Sequence, residues 1–188
     1  MSPRQPCPGS SPGPKNASTR ARSWSTSSTT STTSSRSALP ENRRLVVLLA
    51  DINILVNAFR KESADHKHCH AVIDDMVNGD SSYAVSDFVV NGFVRLVTNR
   101  RIYRNPDSLD RALTFAETYR NQPHAAVVAA EGRHWEIFAR LSRTAGATGK
   151  LIPDAYLAAL AIEHGCEFVT CDKDFARFEG LRWRSPLN

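Results

Sequence analysis

From Leu45 to the C-terminus, the apolar positions alternate between short continuous runs and helical spacings. Leu45-Val46-Val47-Leu48-Leu49-Ala50 is unbroken and closes on Asp51, the pattern of a strand buried on both faces. Ile52–Phe59 follows as a short helix. His66 to Asn78 sets Val72, Ile73, Met76 and Val77 on one helical face, with Gly79 as a stop. Tyr83-Ala84-Val85 predicts a strand, and Ser86 or Asp87 caps a helix carrying Phe88, Val89, Phe93, Leu96 and Val97 to about Asn99. Pro106 and Asp107 open another helix with Leu109, Leu113, Phe115 and Ala116. Ala125–Ala129 reads as a strand, and Arg133–Ala145 as a helix with Trp135, Ile137, Phe138 and Leu141 as core or dimer surface. After a Gly146–Lys150 loop, Ile152-Pro153-Asp154 starts a helix over Ala155–His164, with Gly165 just past its end. Glu167–Thr170 is a strand, and Leu181–Arg184 a short edge. Helices and short strands alternate throughout, which predicts an α/β domain around a mostly parallel sheet.

Composition changes this picture only at the N-terminus. Thirteen of the fifteen residues from Ser23 to Ser37 are Ser or Thr, and Pro, Ser and Gly crowd the stretch before them. Such a segment has too little apolar surface to offset the entropy of ordering it. Three accounts fit: a disordered arm, an organelle transit peptide (Ser-rich, Arg-containing, almost free of acids), or untranslated sequence ahead of the true start. The abrupt switch at Leu45 favours the last. On each account the chain divides into a tail, 1–44, and one folded domain, 45–188.

The net charge of +5 belongs to that tail, where seven basic residues face only Glu41. Residues 45–188 carry 17 basic and 18 acidic side chains, so the overall charge does not argue for a nucleic-acid surface on the domain. Cys7, Cys69, Cys166 and Cys171 form no C-x-x-C pair; reduced thiols in a cytoplasmic protein are the expectation. No apolar run approaches the roughly 20 residues that span a bilayer, and no secretory leader is apparent.

The candidate chemistry is carried by aspartates. Asp51 ends the first strand, and ligands of open parallel sheets collect outside such strand ends. Asp172 ends the last strong strand, with Asp174 two residues on. Asp154 lies in the first turn of a helix, whose dipole favours a carboxylate by roughly 0.3–1 kcal/mol. Each has a plainer reading: Asp51 and Asp154 as helix caps, Asp172 as a turn residue. Carboxylates gathered together repel, so the joint pattern calls for a cation. Oxygen donors without His or Cys select Mg2+, with Mn2+ as a substitute. An ion so held can activate water against a phosphodiester.

Asp51-Ile52-Asn53-Ile54-Leu55-Val56 resembles the opening motif of PIN-domain nucleases. Asp154 to Ala161 and Thr170-Cys171-Asp172-Lys173-Asp174-Phe175 resemble their third and fourth acidic motifs. Phe178-Glu179-Gly180-Leu181-Arg182-Trp183 with Pro186-Leu187 is similar to the C-terminal signature of VapC toxins of toxin–antitoxin pairs. The resemblance implies a three-layer α/β/α domain and a Mg2+-dependent endoribonuclease, a hydrolase of RNA phosphodiester bonds. It implies a homodimer inhibited by a VapB-type antitoxin, with operator DNA bound only through that antitoxin, and no membrane association. It makes Asp51 and Asp154 the principal metal ligands, Asp172 a third, and Asp174 an auxiliary catalytic carboxylate. Asn53 and Thr170 match polar positions that orient a carboxylate or the attacking water; the plainer reading of each is a local hydrogen bond.

One position departs from the pattern. Many family members carry a glutamate in the helix beginning near Asp87, and Gly92 stands there instead. One metal site is then short of a protein ligand, for which Asp87 or Asp174 is the nearest substitute. A weakened, RNA-binding regulatory module acting with its antitoxin is the alternative function. A phosphatase of the haloacid-dehalogenase type expects a second Asp two residues after the first, where this chain has Asn53. Arg95, Arg100, Arg101 and Arg104 follow one another closely, and are candidate RNA contacts or a solvated helix end. His66, His68 and His70 lack the further partners a zinc site needs.

Overall fold

The protein is described by a computed structural model covering residues 46–187; the 1–44 tail, Leu45 and Asn188 lie outside the described residues. Five parallel strands form one sheet: β1 (Leu48–Ala50), β2 (Tyr83–Ser86), β3 (Ala125–Val128), β4 (Glu167–Val169) and β5 (Trp183–Arg184), in the order β3-β2-β1-β4-β5. β1 is flanked by β2 (Leu48 opposite Tyr83) and by β4 (Leu49 opposite Phe168). The chain therefore leaves β1 towards one edge and returns to its other side for β4. The junction of β1 and β4 is the switch point, where parallel sheets open a crevice at their carboxyl ends.

The predicted first strand is shortened. β4 begins opposite Leu48, so Val46 and Val47 precede the ladder, although the Glu167 N–H still donates to the Val47 carbonyl at 2.9 Å.

Helices α1 (Ile52–Phe59), α2 (His66–Asn78), α3 (Asp87–Val97) and α4 (Leu109–Arg120) pack on one another, while α5 (His134–Thr144) and α6 (Leu151–Glu163) form a separate pair, and helices cover both faces of the sheet. The apolar face of α1, with Ile54, Leu55, Ala58 and Phe59, is buried. Phe59 meets Phe93 of α3 edge-on at 5.3 Å and Phe115 of α4 at 5.1 Å, tying three helices through one aromatic cluster. Such pairs contribute about 0.5–1.5 kcal/mol beyond burial. α6 is buried nearly all round through Ala155, Leu157, Ala158, Ala159, Leu160 and Ala161. Its Pro153 falls in the first turn, where the missing N–H has no helical partner to lose. Gly165 ends α6 at φ +65°, letting the Cys166 N–H reach back to the Ala161 carbonyl at 2.9 Å.

One helical expectation shifts. α4 starts at Leu109, because Ser108 caps it by accepting from the Arg111 N–H at 3.3 Å, while Asp107 turns to Arg60 at 2.5 Å. Its buried face is Ala112, Ala116 and Tyr119, leaving Leu109 and Leu113 exposed. On α5, Leu141 is core, whereas Trp135 is 74% exposed.

Candidate active site

Asp51 is both a strand end and a helix cap, so the two readings of its sequence context coincide. Its backbone N–H still pairs with β4, donating to the Val169 carbonyl at 2.9 Å. Its Oδ1 accepts from the Ile52 N–H at 2.6 Å, which caps α1. Its Oδ2 accepts from Asn53 Nδ2 at 2.6 Å and from Thr170 Oγ1 at 2.7 Å. Thr170, fully buried just beyond β4, is therefore wired to a carboxylate 119 positions away in sequence.

The network extends along the β4 end. Thr170 Oγ1 accepts from Asn53 Nδ2 at 3.0 Å and from the Asp172 N–H at 3.0 Å. Asn53 Oδ1 accepts from the Cys171 N–H at 3.1 Å, which fixes the orientation of its amide. Asp172 caps the short 3-10 helix Lys173–Arg177, accepting from the Asp174 N–H at 2.8 Å. Asp174 pairs with Arg177 Nη2 at 2.7 Å.

Asp154 lies half-buried in the first turn of α6. Burial raises its carboxyl, the charges of Asp172 and Asp174 raise it further, and Lys150 and Arg177 oppose the shift. Asp51 is only 6% exposed. Burial pushes its carboxyl up to about 6, against the hydrogen bonds from Thr170 and Ile52, and the charges of Asp154 and Asp172 add to the rise. Four carboxylates thus share one field at the switch point. Two of them hold protons more tightly than ordinary aspartates, chiefly because burial disfavours the charged form and secondarily because neighbouring carboxylates repel it. The donors are hard oxygens and fit Mg2+ or Mn2+. Among the described residues no three His, Cys, Asp or Glu side chains converge closely enough to hold an ion by themselves. A bound ion would accordingly take part of its shell from water or substrate.

Other sequence candidates fall elsewhere. Asp87 is turned outwards to Arg120, whose Nε and Nη2 donate to its carboxylate at 2.7 and 3.1 Å, so it does not replace a glutamate at position 92. Gly92 is buried on α3 against Ile52: a Cβ there would stand 2.5 Å from Ile52 Cδ1. Arg95, Arg100, Arg101 and Arg104 are exposed. The segment carrying the last three packs on the C-terminal end of α1, where the Arg60 guanidinium lies 3.8 Å over the Tyr103 ring. That end is eight residues, about 12 Å of helix, from the Asp51 cap. His66 turns its Nδ1 to the Asn57 carbonyl at 3.1 Å. Lys150 and Arg177 are the cations that act on Asp154, and sequence reading passed over both. Their signal was spacing: Lys150 precedes Asp154 by one helical turn, and Arg177 follows Asp174 by three residues.

A parallel α/β sheet with buried and half-buried carboxylates at its switch point defines an acidic-site α/β protein. The PIN domain family matches residues 48–181. The VapC ribonuclease Mb2897 of Mycobacterium bovis is 36% identical over 142 residues, covering 76% of this chain and 97% of that protein. Ribonucleases VapC25 and VapC31 of Mycobacterium tuberculosis are 37% and 38% identical, covering 74% and 75% of this chain and 99% and 100% of their own lengths. The chain belongs to the PIN-domain family, in its VapC ribonuclease branch. Its fold is similar to the structure of VapBC2 from Rickettsia felis bound to a promoter DNA fragment (TM-score 0.56, 14% identity, 74% of this chain and 98% of that one). It is also similar to VapBC-1 from nontypeable Haemophilus influenzae (TM-score 0.56, 12% identity, 76% and 100%).

Proposed function

We propose that this protein is a Mg2+-dependent endoribonuclease and the toxin of a toxin–antitoxin pair. The observation that carries the reading is the buried Asp51 carboxylate, held by Thr170 and Asn53 and sharing its field with Asp154 and Asp172. Asp51, Asp154 and Asp172 would hold the ion together with water or substrate oxygens, and Mg2+ would supply charge neutralisation at the phosphate and a more acidic water. Thr170 and Asn53 fix the direction of Asp51 Oδ2, so it need not reorganise when substrate arrives. Asp174 positions Asp172 through its backbone N–H, and its own carboxylate stays with Arg177. Lys150 and Arg177 would contact phosphates beside the scissile bond. Arg95, Arg100 and Arg101 would meet RNA further from it.

The VapBC neighbours support a VapB-type antitoxin as partner, with operator DNA reached through it, and a second copy of this chain completes the proposed assembly. A cytoplasmic location accords with the described residues, in which no helix is long and apolar enough to cross a membrane.

A second reading, an RNA-binding module with weakened catalysis, is favoured by one observation: Ile52 Cδ1 fills the space that a side chain at position 92 would enter. Incubating the full chain with total RNA separates the two. Discrete fragments that require Mg2+, and that vanish with chelator or with Asp154→Ala, support the nuclease. RNA binding without cleavage at any Mg2+ or Mn2+ concentration supports the module.

A further inference from the structure

Cys69 and Cys171 are 102 positions apart, yet their sulfurs lie 3.6 Å from each other beside the acidic site. Cys69 is fully buried on α2, and its sulfur meets that of Cys171, two residues past the end of β4. Cys171 is half-buried, so it is the member of the pair that a small solute can reach. It is also embedded in the site: Thr170 precedes it, Asp172 follows it, and its own N–H donates to Asn53 Oδ1. Asn57 of α1 lies beside both thiols, while the Asp65 carboxylate faces both and Asp51 faces Cys171; burial and these charges raise both thiols, so their reaction with peroxide is slow.

We propose that Cys69 and Cys171 form a peroxide-driven disulfide that switches the acidic site off. The Cys171 sulfur attacks one peroxide oxygen and breaks the O–O bond, giving a sulfenic acid and one water. The Cys69 sulfur then attacks the Cys171 sulfur; the S–S bond forms, the S–O bond breaks, and a second water leaves. Two thiols together lose two hydrogens and two electrons, and the peroxide is reduced to two waters. The sulfurs must close from 3.6 Å to a bond of about 2 Å. Cys69 is held inside a helix, so the movement falls on Cys171 and its loop. That loop carries the N–H groups orienting Asn53 and Thr170, and through them Asp51. Displacing such outer hydrogen bonds costs roughly tenfold to a hundredfold in activity or metal affinity. Among the described residues all three cysteines are free, and a thiol pair of this kind matches the transient, redox-sensing use of cysteine.

The loss of cutting rests on the nuclease reading above; formation of the disulfide does not. The full chain is treated with hydrogen peroxide, then peptide-mapped by mass spectrometry and assayed for RNA cutting before and after reduction with dithiothreitol. The expected result is a Cys69–Cys171 linked peptide, two hydrogens lighter, with cutting reduced roughly tenfold or more and restored by reduction. In Cys69→Ala, or Cys69→Ser where the smaller side chain impairs folding, the Cys171 sulfenic acid has no resolving thiol and is trapped by dimedone. Absence of the linked peptide, or a link through Cys7 or Cys166 instead, overturns the proposal. A linked peptide with undiminished cutting overturns the switch. A reduced chain that cuts no RNA rejects the nuclease reading, and the peptide map still decides the thiol pair.

Discussion

Ile52 Cδ1 stands 2.5 Å from the point a Gly92 Cβ would occupy, so α1 and α3 approach through a glycine at the edge of the acidic site. A side chain at position 92 forces Ile52 to move, which costs about 1–3 kcal/mol for an overpacked site. Gly92→Ala is therefore expected to destabilise the wild-type background and to be less harmful in Ile52→Val, which lacks the δ methyl. A double-mutant cycle by urea unfolding should give a coupling of about 0.5 kcal/mol or more. Strict additivity would reject this packing account. Gly92→Glu should not add a metal ligand while Ile52 remains.

The raised Asp51 carboxyl sets the pH dependence of stability. Its folded-state value, about 6, exceeds the ordinary 3.8, so folding favours the protonated form. That contribution is complete below the ordinary value and is lost as pH rises through about 6, a change of about 3 kcal/mol. The raised Asp154 carboxyl acts in the same sense. Thermal melts in chelator from pH 4 to 7.5 should show the midpoint falling with pH. Millimolar Mn2+ should restore stability at the upper end, with a single weak site per chain in the absence of RNA. Two tight Mn2+ sites in a titration of the free protein would contradict this.

Thr170→Val keeps the shape and removes one donor and one acceptor. It strips Asp51 of a hydrogen bond and leaves the Asp172 N–H without its 3.0 Å partner. The expected cost is about 1–3 kcal/mol for buried groups left unpaired, with cutting reduced roughly tenfold to a hundredfold. Thr170→Ser, which retains the hydroxyl, should recover most of both. Equal behaviour of the two variants would mean that packing, and not the hydroxyl, is what Thr170 supplies.

Asp87→Ala tests the opposite case. Its carboxylate faces Arg120 at the surface, and exposed pairs contribute about 0–1 kcal/mol. RNA cutting should stay within about twofold of wild type, judged against the tenfold or larger loss expected when an outer hydrogen bond of the site is removed. A loss as deep as that of Asp154→Ala would place Asp87 in the site after all.

The elements of this fold were legible because apolar period and stop signals agreed along most of the chain. His66–Asn78 is observed as predicted, with Gly79 at its end, and the strand at Tyr83 runs one residue further than predicted, to Ser86. Asp51, Asp154, Asp172 and Asp174 were legible as a set because each stands at a strand end or a helix start. What escaped was side-chain direction. Leu109 and Leu113 match a helical stripe, but the face that packs is the Ala112–Ala116–Tyr119 side, chosen by neighbours that the helix sequence does not name. Asp87 carries the right charge at a fitting position and is turned away by Arg120, 33 residues on. The contact between Cys69 and Cys171 is likewise invisible until α2 and β4 are placed together.

The pairing of β1 with β4 also has a consequence for biosynthesis. Asp51 emerges from the ribosome more than a hundred residues ahead of Thr170, which completes its hydrogen bonding. A nascent chain that has β1, β2 and β3 in place still lacks Thr170, Asp172 and β4, and so has no assembled site. The ribosome that makes this protein has therefore completed β1, β2, β3 and all six helices before the side chains proposed to act on RNA can come together.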